Sequence, residues 1–171
     1  ESLLETRTVA SERGRIYIET GQRVSAIMVV YTNGLVPDMS HFRAIADRFG
    51  VKLLADAAAA IGARRGGISI GQLDADLSVL SFNGNKTITS GGGGAVLGGD
   101  VTLVERCRHL SSTARVNTSY EHDAVAFNYR MTNIQAAVGL GQMERIDAFI
   151  KRKKQIRARY NEALCHDERI G

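Results

Sequence analysis

The run AIMVVY at residues 26–31 decides the fold class, because it is continuously apolar and rich in β-branched residues. Such a run is typical of a strand buried on both faces. Asp38 and Gly50 bracket residues 39–49, where apolar residues recur at helical spacing, so a helix is expected between a cap and a stop. The next apolar run, VKLLA at 51–55, predicts a second strand. The order favours an α/β fold with 26–31 as a central strand of a mainly parallel sheet flanked by helices.

The rest of the chain extends this pattern on both sides. Apolar runs at 77–82 and 95–97 predict two more strands, separated by a tract of four glycines. A helix is expected over 102–110, after which residues 111–130 form a polar connection. Thr132 or Asn133 is expected to begin one long helix that runs toward Leu164. We therefore predict a peripheral insertion or hairpin over 1–25, a core over 26–131 and a long helix over 132–171.

Composition limits the classes of protein that the chain can represent. It has 171 residues, 44% of them apolar and 23% charged, which suits one globular domain rather than a disordered segment. No apolar run is long enough to span a membrane. The two cysteines are far apart and have no zinc-site spacing, so neither a disulfide scaffold nor a metal site is expected.

A basic cluster near the end of the chain gives the net charge of +4 its uneven distribution. Nucleic-acid binding is one interpretation of such a cluster. An apolar stripe runs through the same residues, which favours a solvated helix face and no nucleic-acid partner. The cluster consists of Lys151, Arg152, Lys153, Lys154, Arg157 and Arg159.

The segment SFNGNKTITSGGGG at residues 81–94 is the richest in chemistry, because Lys86 lies just past a predicted strand among small residues. A phosphate-binding P-loop requires a glycine directly before its lysine, and here Asn85 intervenes. A dinucleotide fingerprint also fails, since the glycines open no helix. A surface lysine and a flexible glycine turn remain the simpler interpretations of this segment taken alone.

Asp56 changes that assessment, because it follows the strand at 51–55 directly. Ligands bind at the carboxyl edge of open α/β sheets. Asp56 is therefore either a ligand-facing carboxylate or the cap of a helix formed by the alanines that follow. A lysine and a carboxylate on neighbouring strand ends, with the hydroxyl of Ser81 nearby, are the groups that pyridoxal 5′-phosphate (PLP) chemistry requires.

Three ordered blocks resemble one family, the PLP-dependent sugar aminotransferases of fold type I that act on nucleotide-linked keto sugars. The blocks are DAAAAIGA from Asp56, SFNGNKTITSGGGG from Ser81 and NYRMTNIQAAVGLGQ from Asn128. The first part of the second block, together with YEHD at 120–123, is most similar to the branch serving bacillosamine and legionaminic acid pathways. That branch also has an additional piece like residues 6–23.

The resemblance implies roles for individual residues. Lys86 would form the Schiff base with PLP and then move the substrate proton, and Asp56 would pair with the ring nitrogen. Ser81 would contact the cofactor phosphate, and Asn128 would reach the phosphate of a neighbouring subunit's cofactor in a homodimer. Ala59 would lie beside the ring, although the family usually has Gln, Glu or His there.

The resemblance also implies partners and a setting. We expect a nucleotide-sugar acceptor, an amino-acid donor such as glutamate, a cytoplasmic enzyme of surface-glycan precursor synthesis, and no membrane contact. The family usually has His at the position of Tyr31, a second departure. Its phosphate-binding amino-terminal part should precede Glu1 and its small domain should follow about residue 150, so we expect weak or no PLP binding by this segment alone.

Two alternatives stay open at this point. Related sugar dehydratases use the same cofactor and have His where Lys86 stands, so the lysine favours transamination over water loss. The other alternative is a non-catalytic binding module whose basic helix docks on acidic partners.

Overall fold

The computed structural model describes residues 1–70, 74–118, 120–167 and 169. The chain begins with a short helix, α1 (Ser2–Thr6), and an antiparallel hairpin of β1 (Thr8–Ser11) and β2 (Gly14–Tyr17). Gly14 has a φ of +96°, which a side chain would strain at this turn. A hairpin therefore lies within the residues for which one was expected, while the boundary at residue 25 stays a prediction.

A four-stranded sheet forms the centre of the fold. Its strands are β3 (Ala26–Val30), β4 (Lys52–Asp56), β7 (Leu77–Ser81) and β8 (Gly94–Leu97), in the spatial order β3-β4-β7-β8. The first three are parallel, and β8 is antiparallel to β7. The expectation of a mainly parallel sheet flanked by helices is met by this mixed arrangement.

The predicted central position of β3 is wrong, because β3 lies at an edge of this sheet. Val29 is buried, whereas Met28 and Val30 are 58% and 56% exposed on the opposite face. An unbroken apolar run shows only that both faces are apolar, and it does not require this chain to cover both of them.

The connection from β3 to β4 is a helix, α2 (Met39–Phe49). The Asp38 carboxylate accepts the Ser40 N–H, and Gly50 ends the helix at a φ of +65°, so both predicted ends are confirmed. The main core lies between this helix and one face of the sheet. Its buried members are Val29, Tyr31, Met39, Ala46, Val51, Leu53, Ala55, Ala57, Ala60 and Ile70.

The amino ends of the strands meet at Asp76, which precedes β7. Its carboxylate accepts hydrogen bonds of 2.8 Å from the Leu53 N–H, from Arg43 of α2 and from Lys52 of β4. Burial alone would raise the pKa of Asp76, but these three donors outweigh it and lower the pKa to about 2. The cluster therefore fastens α2 to two strands.

Smaller elements connect the sheet to the last helices. They are the pairs β5 (Arg64–Arg65) with β6 (Ile68–Ser69) and β9 (Arg115–Val116) with β10 (Glu121–His122), and the helix α3 (Val101–Ser111). The helix α3 extends the predicted one by a residue at each end. The polar connection predicted over 111–130 thus contains a short hairpin.

The single long helix expected after Thr132 is two helices, α4 (Asn133–Met143) and α5 (Ile146–Leu164). Thr132 caps α4 in a capping box with Gln135. The break at residues 144–145 turns α5 so that Ile146 and Ile150 lie against Gly62. Residues 168, 170 and 171 of the predicted terminal segment lie outside the described residues. None of the described helices has both the length and the apolar character needed to cross a membrane.

Candidate active site at the carboxyl edge of the sheet

Two polar side chains end the neighbouring parallel strands β4 and β7. Asp56 is the last residue of β4 and pairs in register with Val79, and Ser81 is the last residue of β7. Because side chains alternate along a strand, Asp56, Val79 and Ser81 lie on the same face. The structure thus brings two of the predicted site residues to one edge and one face of the sheet.

Asp56 does not cap a helix, which answers one question left open by the sequence. Its Oδ1 accepts the Ala58 N–H at 3.0 Å, and residues 57–63 form successive turns instead of a helix. Asp56 is half-buried. No further hydrogen bond or ion pair to another described residue is recorded for its carboxylate, which leaves one oxygen available to a ligand.

Lys86 lies in a loop that leaves β7 and returns to β8. The loop is closed by a hydrogen bond from the Phe82 N–H to the Gly93 carbonyl and by one from the Ser90 N–H to the Phe82 carbonyl, both 3.0 Å. A turn from the Asn83 carbonyl to the Lys86 N–H fixes the start of the loop. The Lys86 side chain is half-buried, and its ammonium has no recorded partner in the described part of the chain.

Two glycines of the tract beside this loop, Gly93 and Gly94, are closely packed. Gly93 has a φ of +82°, and a Cβ there would lie 2.8 Å from the Met131 side chain. A Cβ on Gly94 would lie 2.3 Å from the Leu80 carbonyl oxygen. These two positions require glycine because the backbone there lies close to Met131, which precedes α4, and to Leu80 of β7. The interpretation as a flexible turn is therefore wrong at both positions.

Helices α4 and α5 hold the outer side of the loop, which the sequence did not indicate. The Thr89 N–H donates to Gln142 Oε1 at 3.4 Å, and Lys153 Nζ donates to Thr87 Oγ1 at 3.0 Å. Ile88 between them is 1% exposed. Contacts between residues more than fifty positions apart leave no local pattern, so only the fold could reveal them.

The other predicted residues are placed more peripherally. Asn128 is exposed and pairs through its backbone with Ser112, with no recorded side-chain contact to the Lys86 loop among the described residues. Ala59 is exposed beyond Asp56, and its carbonyl lies against Gly34. Tyr31 is 1% exposed, and its hydroxyl has no hydrogen-bond partner among the described residues. Tyr31 therefore belongs to the core and not to the carboxyl edge of the sheet.

The comparison with known sequences decides the family. A profile of the DegT/DnrJ/EryC1/StrS aminotransferase family matches residues 8–169. The chain belongs to this family. GDP-perosamine synthase from Vibrio cholerae is 40% identical over 145 residues, which are 84% of this chain and 39% of that enzyme.

Solved structures agree with the assignment to the DegT/DnrJ/EryC1/StrS aminotransferases. A family member from Brucella abortus matches with a TM-score of 0.78 at 31% identity, over 85% of this chain and 39% of that one. PseC from Helicobacter pylori, an aminotransferase involved in the biosynthesis of pseudoaminic acid, matches at 0.80 and 24% identity over 88% and 41%. At that identity the likeness concerns the fold, and it confirms the predicted fold type I large domain. The chain spans about two fifths of the length of these relatives.

Aminotransferases of the DegT/DnrJ/EryC1/StrS type depend on PLP. The residues at this edge fit that cofactor by their chemistry: Lys86 offers an unpaired amine, Asp56 a free carboxylate oxygen, and Ser81 a hydroxyl on the same face as Asp56. The Ser81 Oγ accepts the Asn83 N–H at 3.3 Å, so its own proton is available to a phosphate oxygen. Within the described residues there is no cluster of three or more side chains suited to a metal ion.

Proposed function

We propose that the protein to which this chain belongs transfers an amino group from an amino acid to a nucleotide-linked keto sugar, with glutamate as the proposed donor. The observation that carries the proposal is the edge just described: Asp56 and Ser81 end neighbouring parallel strands, Lys86 lies in the loop that follows β7, and the functional atoms of all three are largely unpaired. PLP supplies an electron-accepting ring when bound. Asp56, Ser81 and Lys86 are the groups of this chain that would hold it.

The proposed roles follow from charge and position. Lys86 would hold the cofactor covalently and would also act as a base, because a primary amine serves both purposes. Asp56 would stabilise a positive charge on the ring nitrogen through its free oxygen. Ser81 would donate a hydrogen bond to the cofactor phosphate. Ala59, three residues after Asp56, would leave space beside the ring, since its side chain is only a methyl group.

We further propose that a second copy of the chain completes the site, as in a homodimer with shared active sites. An exposed surface, here called the aromatic ridge, supports this. Phe127 and Tyr129 stack with ring centroids 4.9 Å apart although they are 54% and 73% exposed, and Asn128 lies between them. Exposed aromatic groups of this kind are enriched at interfaces. The ridge is this stacked pair, and the chain on either side of it also exposes Val125, Ile134 and Val138.

Further segments of a longer polypeptide are also part of the proposal. Met28, Val30, Val79 and Val96 lie exposed on one face of the central sheet. Ile156, Tyr160 and Leu164 are likewise partly exposed along α5. We propose that an amino-terminal part covers the sheet face and supplies most of the phosphate contacts, and that α5 leads into a small domain. The core over 26–131 would then bind PLP only weakly without them.

The sugar and the setting are the finer parts of the proposal. The relatives include a GDP-perosamine synthase, a UDP-linked altrosamine transaminase and a dTDP-linked glucose transaminase, so three nucleotides are worth screening. The bacillosamine and legionaminic acid branch stays a prediction from the motifs at 81–86 and 120–123. We propose cytoplasmic synthesis of precursors for surface polysaccharide, including lipopolysaccharide, as the setting.

The experiment incubates the complete gene product with PLP, glutamate and a panel of GDP-, UDP- and dTDP-linked keto sugars, and follows the products by mass. Formation of 2-oxoglutarate together with an amino sugar supports the proposal. Loss of water from the sugar without amine transfer would instead identify a dehydratase. Unreacted sugars, combined with salt-dependent binding to acidic partners that is indifferent to Lys86→Ala, would favour the binding module.

A further inference from the structure

Lys86 lies in a part of its loop that is not fixed by backbone hydrogen bonds to β7 or β8. The backbone hydrogen bonds that close the loop are made by Phe82, Ser90 and Gly93. On the amino-terminal side of Lys86 the turn from Asn83 provides one further hydrogen bond. On the carboxyl-terminal side the flanking residue is Thr87, whose hydroxyl accepts its hydrogen bond from Lys153 of α5.

The start of α5 is positioned to make this contact. Ile150 Cδ1 lies so close to Gly62 that a Cβ there would be 2.5 Å away, and Ile146 lies beside it. Residues 146, 150 and 153 are spaced four and three apart and so share one face of the helix. The packing of the two isoleucines on the turns after Asp56 therefore directs the next residue on that face, Lys153, over the Lys86 loop.

Lys153 differs from its neighbours in the basic cluster. For Lys151, Lys154 and Arg157 no hydrogen bond or ion pair to another described residue is recorded, whereas Lys153 donates to the residue beside Lys86. We propose that Lys153 is a positioning residue for Lys86: through Thr87 it holds the loop in the arrangement that places the Lys86 amine. This inference rests on the proposed function, because it assigns Lys153 to the same site.

Loss of Lys153 should therefore affect the catalytic rate and the opening of the loop but not the affinity for substrate. Losing Lys153 removes no group that touches the substrate or the cofactor, so the affinity for substrate should change little. The amine of Lys86 would spend less time correctly placed, so the rate of the step that it performs should fall. The loop should also open more often, even when no cofactor is bound.

The test compares Lys153→Met with Lys153→Arg, and uses Lys154→Met as the matched control, in the complete gene product. Hydrogen exchange of peptides covering residues 82–94 is measured without cofactor. We expect exchange roughly fivefold to tenfold faster in Lys153→Met, consistent with losing one hydrogen bond from a charged donor, and no change in Lys154→Met. Thr87→Val should reproduce the acceleration, and combining it with Lys153→Met should add little.

Steady-state kinetics provide the second readout. We expect kcat of Lys153→Met to fall about fivefold to tenfold with KM within about twofold, and Lys153→Arg to recover most of the loss, since arginine also donates to a hydroxyl. Equal exchange, or equal kcat, in Lys153→Met and Lys154→Met would overturn the inference. If borohydride traps PLP on Lys86 in the unchanged protein, that failure concerns Lys153 alone. No trapped PLP on Lys86 would overturn the proposed function and this inference together.

Discussion

Acidic and basic side chains lie at both ends of the parallel strands, but they are hydrogen-bonded to each other at the amino end and largely unpaired at the carboxyl end, here called the open end. At the amino end Asp76 accepts three hydrogen bonds and its side chain is only 16% exposed. At the carboxyl end Asp56 accepts one local N–H, and Lys86 has no recorded partner among the described residues. A saturated carboxylate stabilises the fold, whereas an unsaturated one in a half-buried position is free to bind a ligand. The difference supports the proposal that Asp76 is structural and that Asp56 binds a ligand, a distinction that their positions in the sequence do not show.

The largest expected effect comes from removing the negative charge of Asp56 at the open end. Asp56→Asn retains the shape of the side chain and its acceptor for the Ala58 N–H but cannot hold a positive ring nitrogen. We expect kcat/KM of the complete enzyme to fall about 100-fold or more, with the unfolding free energy changed by less than ~0.5 kcal/mol. Steady-state kinetics and urea unfolding measure the two quantities. A loss of stability without a loss of rate would reverse the roles assigned to the two ends.

The same substitution at the amino end of the strands, Asp76→Asn, should affect stability. Asp76→Asn removes the half-buried carboxylate that Arg43 and Lys52 share, and we expect a loss of about 2–3 kcal/mol in the unfolding free energy. The matched control is Asp47→Asn, because Asp47 also pairs with Arg43 but its side chain is 66% exposed. It should cost less than ~0.5 kcal/mol. Equal losses in the two variants would contradict the special position of Asp76.

Acid should affect the same end of the sheet. The pKa of Asp76 is lowered from 3.8 to about 2, so its ionised form stabilises the fold above pH 4. That contribution, about 2 kcal/mol, is lost as the pH falls through the folded pKa. Urea unfolding at pH 6, 4 and 2 should show the stability gap between the natural chain and Asp76→Asn narrowing toward pH 2. A gap that is constant over this range would contradict the assignment.

The smallest effect concerns Tyr31, which joins the core next to the open end. Burial raises the pKa of its phenol, and its hydroxyl lacks a partner among the described residues. Tyr31→Phe removes that hydroxyl, and we expect a gain of ~1 kcal/mol in the unfolding free energy by thermal or urea denaturation. Tyr17→Phe is the control, since Tyr17 donates to Glu19 at 3.0 Å on the surface, and it should be neutral or slightly destabilising. A destabilised Tyr31→Phe would show that the hydroxyl has a partner.

Local patterns predicted much of this fold. The strand runs, the Asp38 cap and the Gly50 stop are encoded within a few residues, and the structure contains each of them. The meeting of Asp56 and Ser81 also followed from the sequence, since consecutive parallel strands place their carboxyl ends at one edge. Their roles, with those of Lys86, Asn128 and Ala59, stay predictions.

The features that sequence reasoning missed depend on contacts between distant residues. The edge position of β3 depends on which strands are available to pair with it, which the run at 26–31 does not contain. The break between α4 and α5 accompanies the packing of Ile146 and Ile150 on Gly62, which lies more than eighty positions away in the sequence. Asp56 resembled a helix cap because alanines follow it, yet the turns at 57–63 prevail over helix propensity. The contact of Lys153 with Thr87 has the same distant origin.

The central claim is that the open end of the sheet binds PLP through Lys86. Borohydride reduction of the complete gene product with PLP, followed by peptide mass mapping, tests it directly, with the 171-residue segment treated in parallel. We predict a pyridoxyl group on Lys86 in the complete protein and little or none in the segment alone. Label confined to other lysines, such as Lys52 or Lys153, or no label in the complete protein, would contradict the claim.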